Sequence, residues 1–280
     1  MKASPWRCRA RRGLAILAIW FLIAIFVPLA DWLILYPNRE SVDPQGAVRR
    51  TVAFEDGVLE IWTARSRGAA TRPAELFVLS FVGNAARAEW TASGEAHLWK
   101  DRPVEVWAVN YPGYGGSTGP ARLARLAPAG EAAFADISQV AAGRPIVLGG
   151  QSLGGCLALR LASQHRVAGV LLQNPPPLRQ MILGRFGWWN LWVLAGPIAM
   201  KVPSELDAIA NASACRAPAA FFSSEHDEVV PVEYQQCIID AYGGPKRLWT
   251  WPGADHNVWI GDRGDLVEEA LAWLWAQTHP

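Results

Sequence analysis

Short apolar runs alternate with longer amphipathic stretches along most of the chain. Runs of about four to eight apolar residues are typical of buried strands, and longer stretches with apolar side chains every three or four positions are typical of helices. The pattern predicts strands at Glu75–Phe81, Val104–Val109, Pro145–Leu148, Val167–Gln173, Ala219–Ser223 and Lys246–Trp251. It predicts helices at Ala85–Trp99, Leu126–Ala141, Leu153–Gln164, Val232–Tyr242 and Asp265–Gln277.

Two further β-like runs come before these elements. Val48–Glu55 and Val58–Thr63 flank Asp56-Gly57, a dipeptide that favours a β-hairpin turn. A leading hairpin followed by repeated strand–helix units predicts an α/β protein with a mostly parallel central sheet and helices on both faces. Ligands of such sheets bind at the carboxyl ends of the strands. A functional site in this chain should therefore lie where predicted strands end.

The first 36 residues have a different pattern. Basic side chains come first, at Lys2, Arg7, Arg9, Arg11 and Arg12. An apolar run then extends from Gly13 to Ala30 and continues past Asp31 to Tyr36, which is long enough to predict a transmembrane helix. A cleaved signal peptide is one alternative, although the run is longer than the apolar region of such peptides. A buried core helix is the other, and the basic flank disfavours it.

These features divide the chain into three parts. Residues 1–36 form a basic N-terminus with a membrane anchor, residues 37–46 a turn-rich linker, and residues 47–280 a globular domain. Basic flanks of transmembrane helices stay in the cytoplasm. We therefore expect a single-pass membrane protein whose globular domain lies on the far side of the membrane, in a periplasmic or otherwise extracytoplasmic space.

Composition and charge argue against several classes of function. Of the 280 residues, 51% are hydrophobic and 18% are charged, which suits a chain with a sizeable core. The formal net charge of +1 offers no basic surface for nucleic acid, so no such partner is expected. The cysteines form no C-x-x-C pair and have no metal-ligand spacing, so no metal site is expected. Function must come from a localised site.

The strongest candidate for such a site is Gly150-Gln151-Ser152-Leu153-Gly154, which has the form G-x-S-x-G and lies between a predicted strand and a predicted helix. A serine at such a turn adopts strained backbone angles, and glycines two positions away relieve crowding. The helix start adds partial positive charge where an oxyanion would develop. A phosphate-binding loop is the alternative, but the glycines fit neither G-x-G-x-x-G nor G-x-x-x-x-G-K-[ST]. We expect Ser152 to be a nucleophile.

Around this motif, residues 45–278 resemble the α/β-hydrolase superfamily. They look most like a membrane-anchored branch of small hydrolases, whose signatures are H-G-N-A after one strand and R-G-Y-G-x-S-x-G after the next. The second signature stands at 112–119 as P-G-Y-G-G-S-T-G. The first stands at 82–85 as V-G-N-A, where Val82 replaces the usual histidine. The resemblance implies the α/β-hydrolase fold, with an acid after a late strand and a histidine after the last one.

The resemblance also implies which residues are the acid and the base. Ser223–Pro231 is similar to the family's G-x-x-D-x-x-V-P, which makes Asp227 the acid. Pro252–Asn257 matches its G-x-x-H-x, which makes His256 the base. An exposed acidic turn is the alternative interpretation of the first segment. His226, directly beside the acid, is the lesser candidate for the base.

The roles of these side chains follow from the chemistry of acyl transfer. His256 would take the proton of Ser152 during attack on a carbonyl, and Asp227 would fix the imidazole tautomer. Backbone N–H groups of Leu153 and Asn84 would stabilise the oxyanion. No metal or organic cofactor is needed for this mechanism.

An apolar insertion after Gln173, at about residues 175–212, corresponds to the place where this fold commonly carries a cap. Its large apolar side chains are Phe186, Trp188, Trp189, Trp192, Leu194 and Ile198. It is a short amphipathic cap on the core, or an apolar lid that touches the bilayer or guides an acyl chain to Ser152. A second transmembrane helix is the third alternative, which Gly196-Pro197 disfavours.

The sequence therefore predicts a serine hydrolase that cleaves a carboxylic ester or thioester of a small-molecule or acylated substrate. Membrane contact would occur through residues 13–36 and, in the lid alternative, also through the cap. A peptidase or amidase with the same triad is one alternative function. A catalytically inactive membrane-bound binding protein is the other, and the presence of all three triad residues disfavours it.

Overall fold

The computed structural model of this chain describes residues 5–26, 29–189, 192–193 and 195–278. The predicted anchor and cap include positions that lie outside the described residues, namely 27–28, 190–191 and Leu194. Residues 1–4 of the predicted N-terminal part and residues 279–280 of the predicted globular domain also lie outside the described residues.

Eight strands of the described chain form one sheet. In chain order they are β1 (Val48–Phe54), β2 (Gly57–Arg65), β3 (Leu76–Phe81), β4 (Val104–Asn110), β5 (Ile146–Gln151), β6 (Gly169–Gln173), β7 (Ala219–Ser224) and β8 (Lys246–Trp251). Their order across the sheet is β1-β2-β4-β3-β5-β6-β7-β8. The pairs β1–β2 and β2–β4 are antiparallel, and all other pairs are parallel. The prediction of a mostly parallel sheet with a leading hairpin is confirmed.

Helices cover both faces of the sheet, as predicted. In the described residues they are α1 (Pro5–Phe26), α2 (Leu29–Ile34), α3 (Ala88–Leu98), α4 (Leu123–Ala141), α5 (Leu153–Gln164), α6 (Leu178–Ile182), α7 (Ala195–Met200), α8 (Ala208–Ala214), α9 (Val232–Ala241) and α10 (Gly264–Thr278). Apolar side chains of α4, α5, α8 and α9 form the core on one face. The end of α3 and the inner side of α10 form the core on the other face.

The hairpin turn lies one residue earlier than predicted. Phe54 pairs with Gly57, so Glu55 and Asp56 form the two-residue turn, with Glu55 at a φ of 49°. Gly57 is the first residue of β2, and a Cβ at this position would lie 1.9 Å from Oγ1 of Thr118. Glycine is therefore needed here for the close approach of a neighbouring loop.

The N-terminal helices lie against the rest of the molecule. Trp20 of α1 donates from its indole nitrogen to the carbonyl oxygen of Val193 at 3.0 Å. Asp31 of α2 accepts from the N–H of Leu123 at 2.8 Å and caps the start of α4, whose own N-cap residue Arg122 makes no side-chain cap bond. Over the described ranges, the structure contains no helix with the length and apolar character needed to cross a bilayer, so the predicted transmembrane helix is not found there.

The insertion after β6 folds into short helices. α6 continues into a π-helical turn at 183–187, and α7 and α8 follow. Gly196-Pro197 lies in the first turn of α7, where a proline removes no hydrogen-bond donor that the helix uses. Trp188 and Trp189 are exposed at the surface of this cap.

Candidate active site

Ser152 stands at the sharp turn between β5 and α5. Its φ is 49° and its ψ is −121°, a backbone conformation that costs a residue with a Cβ about 1–3 kcal/mol. The N–H of Ser152 donates to the carbonyl oxygen of Gln173, at the end of β6, at 2.8 Å. The neighbouring strand therefore helps to hold the strained turn.

The glycines on both sides of Ser152 are required by the available space. A Cβ at Gly150 would lie 2.5 Å from the carbonyl oxygen of Gly154. A Cβ at Gly154 would lie 2.0 Å from the carbonyl oxygen of Phe81. Both distances are far below a van der Waals contact with backbone atoms that cannot move aside. Crowding at the strand–helix turn thus explains the G-x-S-x-G pattern of this chain.

The structure brings Ser152, His256 and Asp227 together where parallel strands end. Oγ of Ser152 lies 3.0 Å from Nε2 of His256, and Nδ1 of His256 lies 2.7 Å from Oδ2 of Asp227. With its proton on Nδ1, the imidazole donates to the carboxylate and accepts from the hydroxyl. This is the arrangement of a nucleophile, a base and an orienting acid. His226, in contrast, is exposed and its Nε2 lies 4.0 Å from Glu225.

Both carboxylate oxygens of Asp227 accept hydrogen bonds. Oδ1 accepts from the N–H groups of Val229 at 2.9 Å and Val230 at 2.7 Å. Oδ2 accepts from the side-chain amide of Gln235 at 3.0 Å, in addition to its bond with His256. These donors fix the plane of the carboxylate and therefore the direction in which the imidazole is held.

Asn174 joins the loops of the acid and the base to the end of β6. It is buried, and its φ is 47°. Its Oδ1 accepts from the N–H of Ser224 at 2.9 Å, and its Nδ2 donates to Oγ of Ser224 at 3.0 Å and to the carbonyl oxygen of His256 at 3.4 Å. This residue is not among those that the sequence predicts for the site. The available signal was an asparagine directly after a strand, because asparagine tolerates left-handed backbone angles.

The two predicted oxyanion donors lie beside the same space as Ser152. Leu153 is the first residue of α5, and Asn84 follows β3, which neighbours β5 in the sheet. Both residues line the cavity at Ser152. In the described part of the chain, neither of their backbone N–H groups has an acceptor. Two unpaired N–H groups next to a nucleophile are suited to stabilise a developing oxyanion.

Val82 replaces the histidine of the resembling branch, and its backbone is anchored in another way. The side chain is buried, and the carbonyl oxygen accepts from the hydroxyl of Tyr111 at 2.6 Å. Burial raises the pKa of Tyr111, so this phenol remains a neutral donor. The loop after β3 is therefore held through its backbone, without the help of a polar side chain at position 82.

A cavity of about 1000 Å³ opens onto Ser152 and His256, a volume at the upper end for small-molecule sites. Its apolar wall comes from the cap and from the N-terminal segment, by which we mean the described residues before position 39. The cap contributes Leu178, Met181, Ile182, Phe186, Trp189, Ala195 and Ile198, and the N-terminal segment contributes Trp20, Leu33, Ile34 and Tyr36. The cavity can therefore bury a long apolar group beside the hydroxyl. Among the residues that the structure describes, no three His, Cys, Asp or Glu side chains come together as metal ligands.

Comparison with protein families agrees with this geometry. A model described as the alpha/beta hydrolase family matches residues 76–236, more than half of the 280 residues. The chain belongs to this family. The matched range contains Ser152 and Asp227, and it ends before His256.

This hydrolase is similar to proteins of several kinds. An uncharacterized protein of Mycobacterium tuberculosis (strain H37Rv) is 29% identical over 266 residues, covering 90% of the hydrolase and 89% of the relative. An esterase of Pyrococcus furiosus superposes with a TM-score of 0.65 at 14% identity, covering 88% of this chain and 98% of the esterase. The acylaminoacyl peptidase of Pyrococcus horikoshii superposes with a TM-score of 0.59 at 14% identity, covering 82% of this chain and 41% of the peptidase. These two likenesses show a shared fold.

Proposed function

We propose that this chain is a serine hydrolase that cleaves a carboxylic ester or thioester with a large apolar acyl group. The observation that carries the proposal is the continuous contact from Ser152 through His256 to Asp227, at the floor of a large apolar cavity. A hydroxyl whose proton has an acceptor in place is an activated nucleophile. The esterase likeness adds to this proposal, and the peptidase likeness defines its main alternative.

The mechanism proceeds through an acyl-enzyme. Oγ of Ser152 attacks the carbonyl carbon while its proton passes to Nε2 of His256, and Asp227 stabilises the imidazolium. The N–H groups of Leu153 and Asn84 stabilise the oxyanion, each contributing about 3 kcal/mol to the transition state. The alcohol or thiol leaves with the proton from Nε2. Water then attacks the acyl carbon and gives a proton to Nε2. The second tetrahedral intermediate collapses, which releases the carboxylic acid, and the proton on Nε2 returns to Oγ of Ser152.

A fluorophosphonate probe tests the nucleophile. Because the probe forms a covalent bond only with an activated serine, we expect labelling of the full chain and none of Ser152→Ala. We expect His256→Ala to be labelled at least about 10³-fold more slowly. A wild-type chain that stays unlabelled, or a Ser152→Ala chain that is labelled equally well, would contradict the proposal.

A panel of substrates tests the acyl group and the leaving group. We expect kcat/KM for p-nitrophenyl esters to rise from acetate to dodecanoate, since each buried methylene contributes about 0.8 kcal/mol. Aminoacyl anilides should be turned over more slowly than any of these esters. Faster turnover of the anilides would replace the esterase by the alternative, a peptidase or amidase.

A pair of variants in α7 tests whether the cavity holds the acyl chain. Ala195 lines the cavity, whereas Met200 of the same helix is 80% exposed and outside it. We expect Ala195→Phe to lower kcat/KM for dodecanoate by at least about tenfold while acetate is hydrolysed as before. Met200→Phe is the matched control and should change neither rate. Equal behaviour of the two variants would place the acyl chain elsewhere.

The proposal extends to the membrane. Residues 13–36 and the cap would contact a bilayer, because basic side chains precede an exposed apolar surface, a combination that suits anionic lipid. The exposed basic side chains are Arg9, Arg11 and Arg12, and the exposed apolar ones include Leu14, Ile16, Leu17, Phe21, Leu22, Trp188 and Trp189. We expect the chain to sediment with phosphatidylglycerol vesicles and less with phosphatidylcholine vesicles. Equal recovery in the supernatant of both would contradict this extension.

The side of the membrane is a further part of the proposal. The basic N-terminus would face the cytoplasm and the hydrolase domain the extracytoplasmic side. Sealed inverted membrane vesicles would then protect a tag at residue 280 from added protease. Cleavage of the tag in sealed vesicles would place the domain on the cytoplasmic side.

A further inference from the structure

Asn84 makes more contacts with the N-terminal segment than its role as an oxyanion donor requires. Its Oδ1 accepts from the backbone N–H of Tyr36 at 2.9 Å and from the hydroxyl of Tyr114 at 2.8 Å. Its Nδ2 donates to the carbonyl oxygen of Ile34. The N–H of the next residue, Ala85, also donates to Oδ1, at 3.1 Å. Both polar atoms of this side-chain amide are therefore engaged, and two of the four partners are backbone groups of residues 34–36.

The next residue of the same loop is held by the same segment. Ala85 has a φ of 62°, which is a strained conformation for a residue with a Cβ. Its carbonyl oxygen accepts from the side-chain amide of Asn38 at 3.3 Å. The carbonyl oxygen of Asn38 in turn accepts from the N–H of Gly115 at 2.9 Å. The N-terminal segment thus connects two loops that follow neighbouring strands, and it braces a strained position next to the oxyanion donor.

The N-terminal segment also closes the cavity. Trp20, Leu33, Ile34 and Tyr36 line it together with Ser152. Asp31 fixes α2 to the start of α4, so this wall is attached to the domain at two independent points. A segment that only tethered the chain would need neither the contact with Asn84 nor a place in the cavity wall.

We propose that residues 29–38 form part of the active site, in which they position the backbone N–H of Asn84 through its side chain and complete the wall for the acyl group. The proposal rests on the ester or thioester hydrolase function argued above. It adds a second task for residues 29–36, which the sequence assigns to the membrane anchor, and gives one to residues 37–38 of the linker. The side chain of Asn84 is a positioning group, because it acts on the oxyanion through its own backbone. The geometry also explains how the loop keeps its place with valine at position 82.

Two variants of the full chain separate this positioning from simple packing. Asn84→Asp keeps the volume and the acceptor for Tyr36, but it places an oxygen against the carbonyl oxygen of Ile34. Asn84→Ala removes all four bonds of this side chain. Val48→Ala is the matched control, because Val48 on β1 is 65% exposed, lies outside residues 29–38 and does not line the cavity. Thermal unfolding of each variant shows whether it is folded.

The variants are compared by their kcat and KM for a short ester and by the rate of amide exchange over residues 29–38. In both Asn84 variants, kcat for p-nitrophenyl acetate should fall at least about tenfold, since a misplacement of about 1 Å can cost a hundredfold. KM for this short ester should change less than about threefold, and amide exchange over residues 29–38 should become faster. Val48→Ala should keep the wild-type kcat and exchange pattern.

The outcomes that overturn this inference differ from those that overturn the proposed function. An inactive, unlabelled wild-type chain ends the proposed function. With an active wild-type chain, kcat within about threefold of wild type in both Asn84 variants ends the inference alone. A lower kcat without faster exchange over residues 29–38 also ends it, because Asn84 would then act independently of the N-terminal segment.

Discussion

Gln235 donates to the same carboxylate oxygen of Asp227 that bonds to His256. Its Nε2 lies 3.0 Å from Oδ2 of Asp227, and the same amide donates to the carbonyl oxygen of Val230 at 2.7 Å. Gln235 is completely buried, so no water can replace this donor without opening the core. The glutamine therefore holds both the carboxylate and the loop that carries it.

Replacement of Gln235 by methionine should separate this positioning from packing. Methionine has a similar volume and no N–H donor, so the carboxylate loses one charge-assisted bond. We expect kcat for an ester to fall about 10- to 100-fold with KM unchanged, because such a bond contributes about 1.5–3 kcal/mol. Gln236→Met is the control, since Gln236 is only partly buried and its side chain bonds to Asp240 at the surface, at 2.6 Å. Equal kcat values for the two variants would show that Gln235 does not support the acid.

The backbone strain at Ser152 should appear as a difference in stability between two inactive variants. Ser152→Gly removes the Cβ that makes a φ of 49° costly, and Ser152→Ala keeps it. Relief of strain contributes about 1–3 kcal/mol, and the greater chain entropy of glycine offsets about 0.5–1 kcal/mol of it. We expect Ser152→Gly to unfold at a higher temperature than Ser152→Ala by calorimetry. A lower melting temperature for the glycine variant would mean that the turn stores no such strain.

Gly154→Ala should be among the most damaging small substitutions in the chain. The added methyl group would lie 2.0 Å from the carbonyl oxygen of Phe81, a backbone atom inside the sheet. We expect a loss of at least about 3 kcal/mol in the free energy of unfolding, measured in urea. Gly264→Ala is the control, because no atom lies within 4 Å of its Cβ position at the start of α10. It should be neutral or stabilising by about 0.5–1 kcal/mol.

Most of the sheet and its helices could be predicted because their apolar periodicity is local. The placement of Ser152 could also be predicted, from a G-x-S-x-G pattern between a strand and a helix. The resemblance to the family's motifs implied Asp227 and His256, and the ends of parallel strands meet at one edge of the sheet. Their catalytic roles stay predictions. The bonds made by Asn174 and Gln235 could not be predicted, because each depends on a partner brought near only by the finished fold. No periodicity or motif encodes such contacts.

The exact position of the hairpin turn could not be predicted for a similar reason. Asp56-Gly57 is a local turn signal, yet Gly57 is a glycine because Thr118 lies against it. The contacts of Asn84 with residues 34–36 could not be predicted either. The apolar composition of the first 36 residues predicts that they are buried, but it does not show whether lipid or the rest of the protein buries them.

Glu95 on α3 should make the stability of the protein depend on pH near neutrality. Its carboxyl group is buried, and Oγ of Ser80 donates to Oε1 at 2.8 Å. In the described structure, its Oε2 has no hydrogen-bond partner. Burial raises the pKa of this carboxyl from its ordinary 4.5 to about 7. The folded protein therefore keeps a proton that the unfolded chain has already lost between these two pH values.

The direction of the effect follows from proton linkage. Where the folded state binds more protons than the unfolded state, the free energy of unfolding falls as pH rises. The contribution of Glu95 to the fold should thus be absent below about pH 4.5, become increasingly unfavourable up to about pH 7, and stay constant above it. A shift of this size corresponds to about 3 kcal/mol.

Glu95→Gln removes the titration and leaves an oxygen to accept from Ser80. Urea unfolding of both proteins between pH 4 and pH 9 measures the effect. We expect the two stabilities to converge near pH 4 and the variant to gain an increasing advantage up to about pH 7, because only the wild-type chain must then bury a carboxylate. A difference that stays constant over this range would mean that Glu95 does not change its charge within the folded protein in this interval.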